Sequence, residues 1–418
     1  MKLIRSQNHP LPTGVLGLAP RANGNHAFVS CIDGSVHEVN LTTGKTEPFA
    51  GKHTSFASSC VLLPGERTLI SAGYDGQLLW HDTATRQCWR RVQAHSFWSW
   101  QTALSPDGRH LATVSGQYLP GGWKYEPAAA GEPTVKVFDT LTGDLIAAFI
   151  HGPPVLSCAF SPDGQHLAAA NMMGDLKVWH LPTGHDSAPV TSWNTPDFTS
   201  WGTTKTHHYC GGIYDLAFSP DGTTLLGCGM GPMGDPMAGN GKMTWQRWDW
   251  NKGERLDQIK DGQHGTGLME ALAWHPDGSH FLMAGRQAQG TWNAALFSAT
   301  DGNLLHSLDV KHRITQARYT ADGQSVILGL PWANPVPKPP PKTPGADSSF
   351  TKCRPDLLLS YPGKDNGLIH PSDGQVVIPD LMSGSKDILA GTALSVLIML
   401  VMTAGLLVYL KLQRRILR

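Results

Sequence analysis

His207, His208, Tyr209 and Cys210 form the densest run of side chains that could donate to a metal, because imidazole and thiolate suit zinc or copper. Adjacent residues seldom point at one ion, and no second His or Cys pair stands at ligand spacing, so no metal and no cofactor are expected. The stretch Gly229-Met230-Gly231-Pro232-Met233-Gly234 is glycine-rich. It lacks the Lys-Ser/Thr and the following helix that would aim backbone amides at a phosphate, so it reads as a loop. No Gly-x-Ser-x-Gly elbow supplies an activated serine. Carboxylates recur as a pattern only inside short turns, where an aspartate bonds its neighbouring backbone. Catalytic residues are therefore not expected.

Composition narrows the class further. Lys and Arg total 33, Asp and Glu also total 33, and charged residues make up only 16% of the chain, so no overall field draws nucleic acid. With 46 glycines and 30 prolines beside 40% hydrophobic residues, the chain is turn-rich yet able to build a core. Seven cysteines without paired Cys-x-x-Cys spacing fit neither a disulfide framework nor structural zinc and favour a reducing compartment. Cys31, Cys60, Cys158 and Cys228 occupy strand positions where other units place small apolar residues, and they read as small hydrophobes.

The elements that must carry any site repeat along the chain. Ser105-Pro106-Asp107-Gly108, Ser161-Pro162-Asp163-Gly164, Ser219-Pro220-Asp221-Gly222, His275-Pro276-Asp277-Gly278 and Thr320-Ala321-Asp322-Gly323 are five copies of one turn, and degenerate copies lie at 63–66 and 20–24. Apolar alternation precedes and follows each turn, which is strand periodicity. Pro sets φ, Asp bonds the backbone and Gly takes the positive φ that closes a hairpin. A third strand ends in an aromatic and a polar residue, as at 78–82, 135–139, 176–180 and 246–249, and a short fourth follows. Four-stranded antiparallel units of this kind cannot bury both faces alone and must stack radially.

At this point the residues resemble the WD-repeat β-propeller family over roughly residues 2–361. The resemblance implies an all-β fold, a seven-bladed β-propeller of four-stranded antiparallel blades. It also implies a buried hydrogen-bonded set of His, Ser or Thr, Asp and Trp. His53, Ser71, Asp75 and Trp80 match all four places. His151, Asp175 and Trp179 match three, with Ala169 in the hydroxyl's place, while His95, His264 and His312 stand in the connections of other units. These residues are expected to be structural.

The reading divides the chain into a propeller over 1–362, a stalk over 363–387, an apolar segment over 388–410 and a basic tail over 411–418. The Pro-rich stretch 331–353 is taken as an excursion within the last blade. The third strand of that blade is expected near 357–361 and its outer strand at 2–6, fastening the ring. Residues 388–410 are uncharged and long enough, at about 1.5 Å per residue, to cross a hydrocarbon core of about 30 Å. They are expected to form one C-terminal transmembrane α-helix and so a single-pass membrane protein. Lys411, Arg414, Arg415 and Arg418 would keep the tail cytoplasmic by the positive-inside rule. The missing signal sequence and the unpaired cysteines argue instead for a cytoplasmic propeller, and that placement is the expectation.

Function is sought in the long connections 117–133, 181–212 and 229–242, which load one rim of one face. Phe97, Trp98, Trp100, Trp123, Tyr125, Phe198, Trp201 and Tyr209 lie in or beside that rim, with Trp193 close by; large amphipathic rings are typical interface anchors. The expected function is a non-enzymatic, membrane-tethered scaffold that binds protein partners, themselves membrane-associated, and contacts the lipid bilayer through its C-terminal helix. The alternative is a propeller enzyme or small-molecule sensor, similar to lactonases or quinoproteins, with carboxylates or histidines converging on a central channel.

Overall fold

The computed structural model describes residues 8–11, 13–116, 132–181, 187–198, 211–231 and 241–331. These residues form six four-stranded antiparallel sheets in simple chain order, spanning 15–48, 57–93, 99–149, 155–194, 212–258 and 266–308. We call these blades one to six. A two-stranded pair, Gln316–Tyr319 with Val326–Gly329, follows. The expected count of seven four-stranded blades is corrected to six, with the two-stranded pair in the next place. The strands assigned to complete a seventh, at 357–361 and 2–6, lie outside the described residues.

Each blade places its first strand innermost, since the first strands of successive blades touch one another around the ring. Among the described residues the two-stranded pair meets the first strand of blade one. Val15 N donates to Leu330 O at 2.9 Å, and Thr315 Oγ1 donates to Val15 O at 2.7 Å, joining the two-stranded pair to blade one.

The hairpin turns are built by the residues that repeat. In each of the five full copies the glycine has φ between 69° and 74°, a left-handed conformation that glycine adopts without steric cost. Glycine also lets neighbouring blades approach at the turns: a Cβ on Gly108 would lie 2.3 Å from Pro64 of the preceding blade. Between blades the strands bury alternate apolar faces against each other. Phe149 stacks on Trp179 with ring centroids 5.0 Å apart, and Trp245 meets Phe281 and Phe297 edge-on at 5.1 and 5.5 Å. Cys31, Cys60, Cys158 and Cys228 are buried in this packing. Burial pushes the Cys60 thiol up to about 12 and raises the other three as well, so all four stay neutral.

Candidate protein-binding face

The first strand of every blade carries an irregularity at the same place. The register shifts across Leu16, Ser58, Trp100, Leu156, Tyr214 and Glu270, each five residues ahead of the residue that opens its turn. A bulge re-aims its side chain and interrupts the ladder locally. Repeated around a ring, it delivers one side chain per blade to the same level of the disc.

Trp100 is the largest of these and anchors an aromatic stack. Tyr74 lies flat on Trp98, with centroids 4.6 Å apart and planes 6° from parallel. Phe97 stacks on Trp98 itself at 4.7 Å, Trp100 meets both Trp98 and Tyr74 edge-on at 5.3 Å, and Phe56 closes on Tyr74 at 5.4 Å. Tyr74 and Trp98 are buried, whereas Phe56, Phe97 and Trp100 keep part of their surface open. Trp100 continues inward against Leu156 and Met172, which Met173 and Tyr214 also cover. Burial, assisted by Glu270 against an opposing Arg313, pushes the Tyr74 phenol well above its ordinary range.

Arg313 and Glu270 are near enough to Tyr74 to act on its phenol electrostatically. The guanidinium grips the carboxylate through two bonds, Nε to Oε2 and Nη2 to Oε1, both 2.5 Å. Their side chains are 6% and 10% exposed, so this is a largely desolvated bidentate pair, strong and orientation-specific. Burial works against the charged guanidinium, but Glu270 outweighs it and raises Arg313 further.

Below that level the ring is stitched by polar side chains between inner strands. Ser59 Oγ and Thr102 Oγ1 share a bond of 2.7 Å between blades two and three. Gln101 accepts from Cys158 N in blade four at 2.8 Å and donates to Asp215 Oδ1 in blade five at 2.8 Å. Asp215 accepts in turn from Leu216 N at 3.0 Å and from Leu272 N in blade six at 2.8 Å. Burial raises the Asp215 carboxyl despite Arg318 and these donors. Among the described residues Asp215 and Glu270 are carboxylates on first strands, and both are engaged in fixed partnerships.

The histidine set of blade two has a different membership from the expected one. His53 Nδ1 lies 2.9 Å from Asp75 Oδ1, His53 Nε2 lies 2.9 Å from Ser71 Oγ, and Ser71 Oγ lies 3.0 Å from His81 Nε2. One polarity satisfies every contact: His81 Nε2–H donates to Ser71, Ser71 O–H donates to His53 Nε2, and His53 Nδ1–H donates to Asp75. Burial would raise the Asp75 carboxyl, yet the bonds from His53, Thr54 and Gln77 hold it below the usual range. Trp80 is not in this set; its indole donates to Thr140 O of blade three at 2.7 Å. Counted from the positive-φ turn glycines Gly76 and Gly174, Trp179 is the fifth residue but Trp80 only the fourth. Side chains one residue apart on a strand face opposite ways, so His81 takes the place assigned to Trp80.

Blade four is corrected in the same way. Asp175 follows its turn glycine, whereas Asp75 precedes its own, and Asp175 accepts from Asn171 Nδ2 at 2.9 Å and Asn194 Nδ2 at 2.7 Å rather than from His151. His151 is buried edge-on to Trp179, centroids 6.1 Å apart, and Ala169 offers it no hydroxyl. Of the rim residues, Phe97, Trp98 and Trp100 lie together in the stack. Phe198 is wholly buried 6.1 Å from Trp248, in the core between blades four and five. Trp123, Tyr125, Trp201 and Tyr209 lie outside the described residues, as do His207, His208 and Cys210. Sequence reading missed Phe56, Tyr74, Glu270 and Arg313. The spacing of Glu270 ahead of its turn, equal to that of Trp100, is the signal that could have found it.

Comparison with known proteins now adds to the geometry. Residues 143–180 and 199–231 match the family described as WD domain, G-beta repeat. The chain is 26% identical over 312 residues to telomerase protein component 1 of Mus musculus, covering 73% of this chain and 10% of that protein. It is 27% identical over 333 residues to the Rattus norvegicus protein of the same name, covering 79% of this chain and 11% of that protein. The chain therefore spans about a tenth of the length of these curated relatives. The expected single-pass membrane location is corrected: the relatives are protein components of telomerase. Among the described residues no helix is long and apolar enough to cross a membrane, and segment 388–410 lies outside them. An apolar run of spanning length satisfies the thickness requirement without assigning a location to the propeller that precedes it.

Proposed function

We propose that this propeller is a non-enzymatic scaffold that holds protein partners on the face carrying Phe56, Tyr74, Phe97, Trp98 and Trp100. The observation that carries the reading is the stack itself. Five rings from blades two and three form one continuous surface, with two buried members fixing three that remain partly open. Rigid aromatic rings held in place before binding lose little entropy on contact, which is what makes them interface anchors. The largely buried Glu270–Arg313 pair, which acts electrostatically on Tyr74, adds a fixed, oriented polar group. The relatives' name, a protein component of telomerase, supports a place within a larger assembly.

The test is a quantitative affinity enrichment with the full chain, comparing wild type with Phe56→Ser/Phe97→Ser. Both rings are partly open, so the fold should hold, and unchanged thermal unfolding checks this. Partners enriched by wild type should drop about tenfold or more, as expected when anchor rings worth about 1.4 kcal/mol or more are removed. An unchanged partner set would refute the assignment of this face.

A further inference from the structure

The turn that opens the second strand of blade six departs from its siblings. At Ser105, Ser161, Ser219 and Thr320 a hydroxyl donates to the turn aspartate at 2.5 or 2.6 Å. In blade six the same place holds His275. Two residues beyond the turn glycine, blades three, four and six carry His110, His166 and His280. Blade six therefore has histidine at both places, and the two rings stack with centroids 4.4 Å apart and planes 21° from parallel.

A ring nitrogen of each histidine and a carboxylate oxygen of Asp277 lie within 4.8 Å of one another. Two further observations point to a cation here. His275 Nε2 lies 3.2 Å from Gly323 O, which can only accept, so Nε2 carries a hydrogen. Asp277 N lies 3.3 Å from Nδ1, and Nδ1 faces Asp277 Oδ1 at 2.5 Å. Nδ1 and Oδ1 at that separation hold a positive charge between them, either a shared proton or a metal ion.

The second observation concerns groups outside that contact. His280 is 6% exposed, and its Nδ1 pairs with Ser279 Oγ at 2.8 Å. Its Nε2 is buried with no hydrogen-bond partner among the described residues. The same holds for Tyr319 Oη, whose ring stands edge-on to His275 and His280 at 5.1 and 5.9 Å. Buried polar atoms are almost always satisfied, so each of these two atoms is open to a ligand or a water.

We propose that His275, Asp277 and His280 bind one divalent ion of the zinc class, with Tyr319 or water in the fourth position. Two imidazoles and a carboxylate are a three-ligand set of the kind zinc accepts with one position open. The partly open Asp277 side chain, 60% exposed, leaves a route for the ion. The site also has a structural consequence, because Tyr319 and Gly323 belong to the two-stranded pair that closes the ring. A Cβ on Gly323 would lie 2.4 Å from His275 Nε2, where Gly164, Gly222 and Gly278 instead face the prolines Pro106, Pro162 and Pro220. The ion fastens blade six to the ring's shortest sheet.

Calorimetric titration of the metal-free full chain with zinc chloride near neutral pH tests this. Wild type should take up one equivalent and melt at a higher temperature with zinc than without. His275→Ser installs the side chain of three sibling turns, and His280→Thr copies Thr224 of blade five, so both should melt like wild type without zinc. Each should weaken the equivalent by more than about 100-fold, because even outer-shell changes cost about 10- to 100-fold. A wild type that binds no zinc, as when a proton alone sits between Nδ1 and Oδ1, overturns the proposal; so does unchanged affinity in either variant. Should a variant fail to fold, the wild-type titration decides alone.

Discussion

Blades two and four share strand order, turn type and a buried histidine, yet they hold that histidine by different means. In blade two a relay of four side chains, His81, Ser71, His53 and Asp75, ends on a carboxylate. In blade four His151 sits against Trp179, Ala169 replaces the hydroxyl, and Asp175 is held by two asparagines. The topology thus tolerates either a polar relay or apolar packing at one position. The relay must be complete to be stable, because a partly satisfied buried network is worse than none.

That contrast can be broken from the polar side. Asp75→Ala leaves His53 Nδ1–H buried without an acceptor and should destabilise the protein by about 3 kcal/mol, the upper range for orphaning a buried donor. Asp175→Ala removes bonds to two amides of partly exposed surroundings and should cost about 1 kcal/mol. Chemical denaturation of both variants gives the comparison. Equal losses would mean that the two blades are not held differently.

Acid should sharpen the contrast less strongly but reach both blades. Burial, with His53 and Arg91 nearby, holds His81 down to about 4. Burial, with Lys136 and Lys177 respectively, holds His95 down to about 3 and His151 to about 4. These folded-state values lie below the unfolded value near 6.5, so between the two the unfolded chain binds more protons. The stability from keeping them neutral is fully present above about pH 6.5 and is lost as pH falls toward 4. At about pH 5 each histidine should subtract about 2 kcal/mol relative to neutral pH. Replacing His151 by Leu should remove about that much of the drop, read from denaturation midpoints at the two pH values. A drop unchanged by His151→Leu would contradict neutral burial of this ring.

What the sequence made legible was local. The Ser-Pro-Asp-Gly turns announce themselves because proline, aspartate and glycine act within four residues, and the strand alternation flanking them is equally short-range. The register of Trp80 was misread because adjacent strand positions look alike in sequence while facing opposite ways. The binding face was half visible. Phe97, Trp98 and Trp100 stand together in the chain, but Phe56 and Tyr74 reach them from blade two, and Arg313 reaches Glu270 across 43 residues. Contacts of that kind depend on ring closure, which no periodicity encodes. Phe198 showed the opposite error, an aromatic at a loop position that folds into the core. His275 was read as one more turn residue, and only the ring stacking with His280 makes its difference from serine consequential.

The central claim is that partners meet the disc at the aromatic stack and not at its outer edge. A photo-crosslinking residue placed at Phe97, and in a second sample at Leu141, which is 78% exposed on the outer turn of blade three, tests it most directly in the full chain. The account predicts protein adducts from position 97 and few or none from position 141. Equal adducts from both, or adducts from position 141 alone, would contradict it.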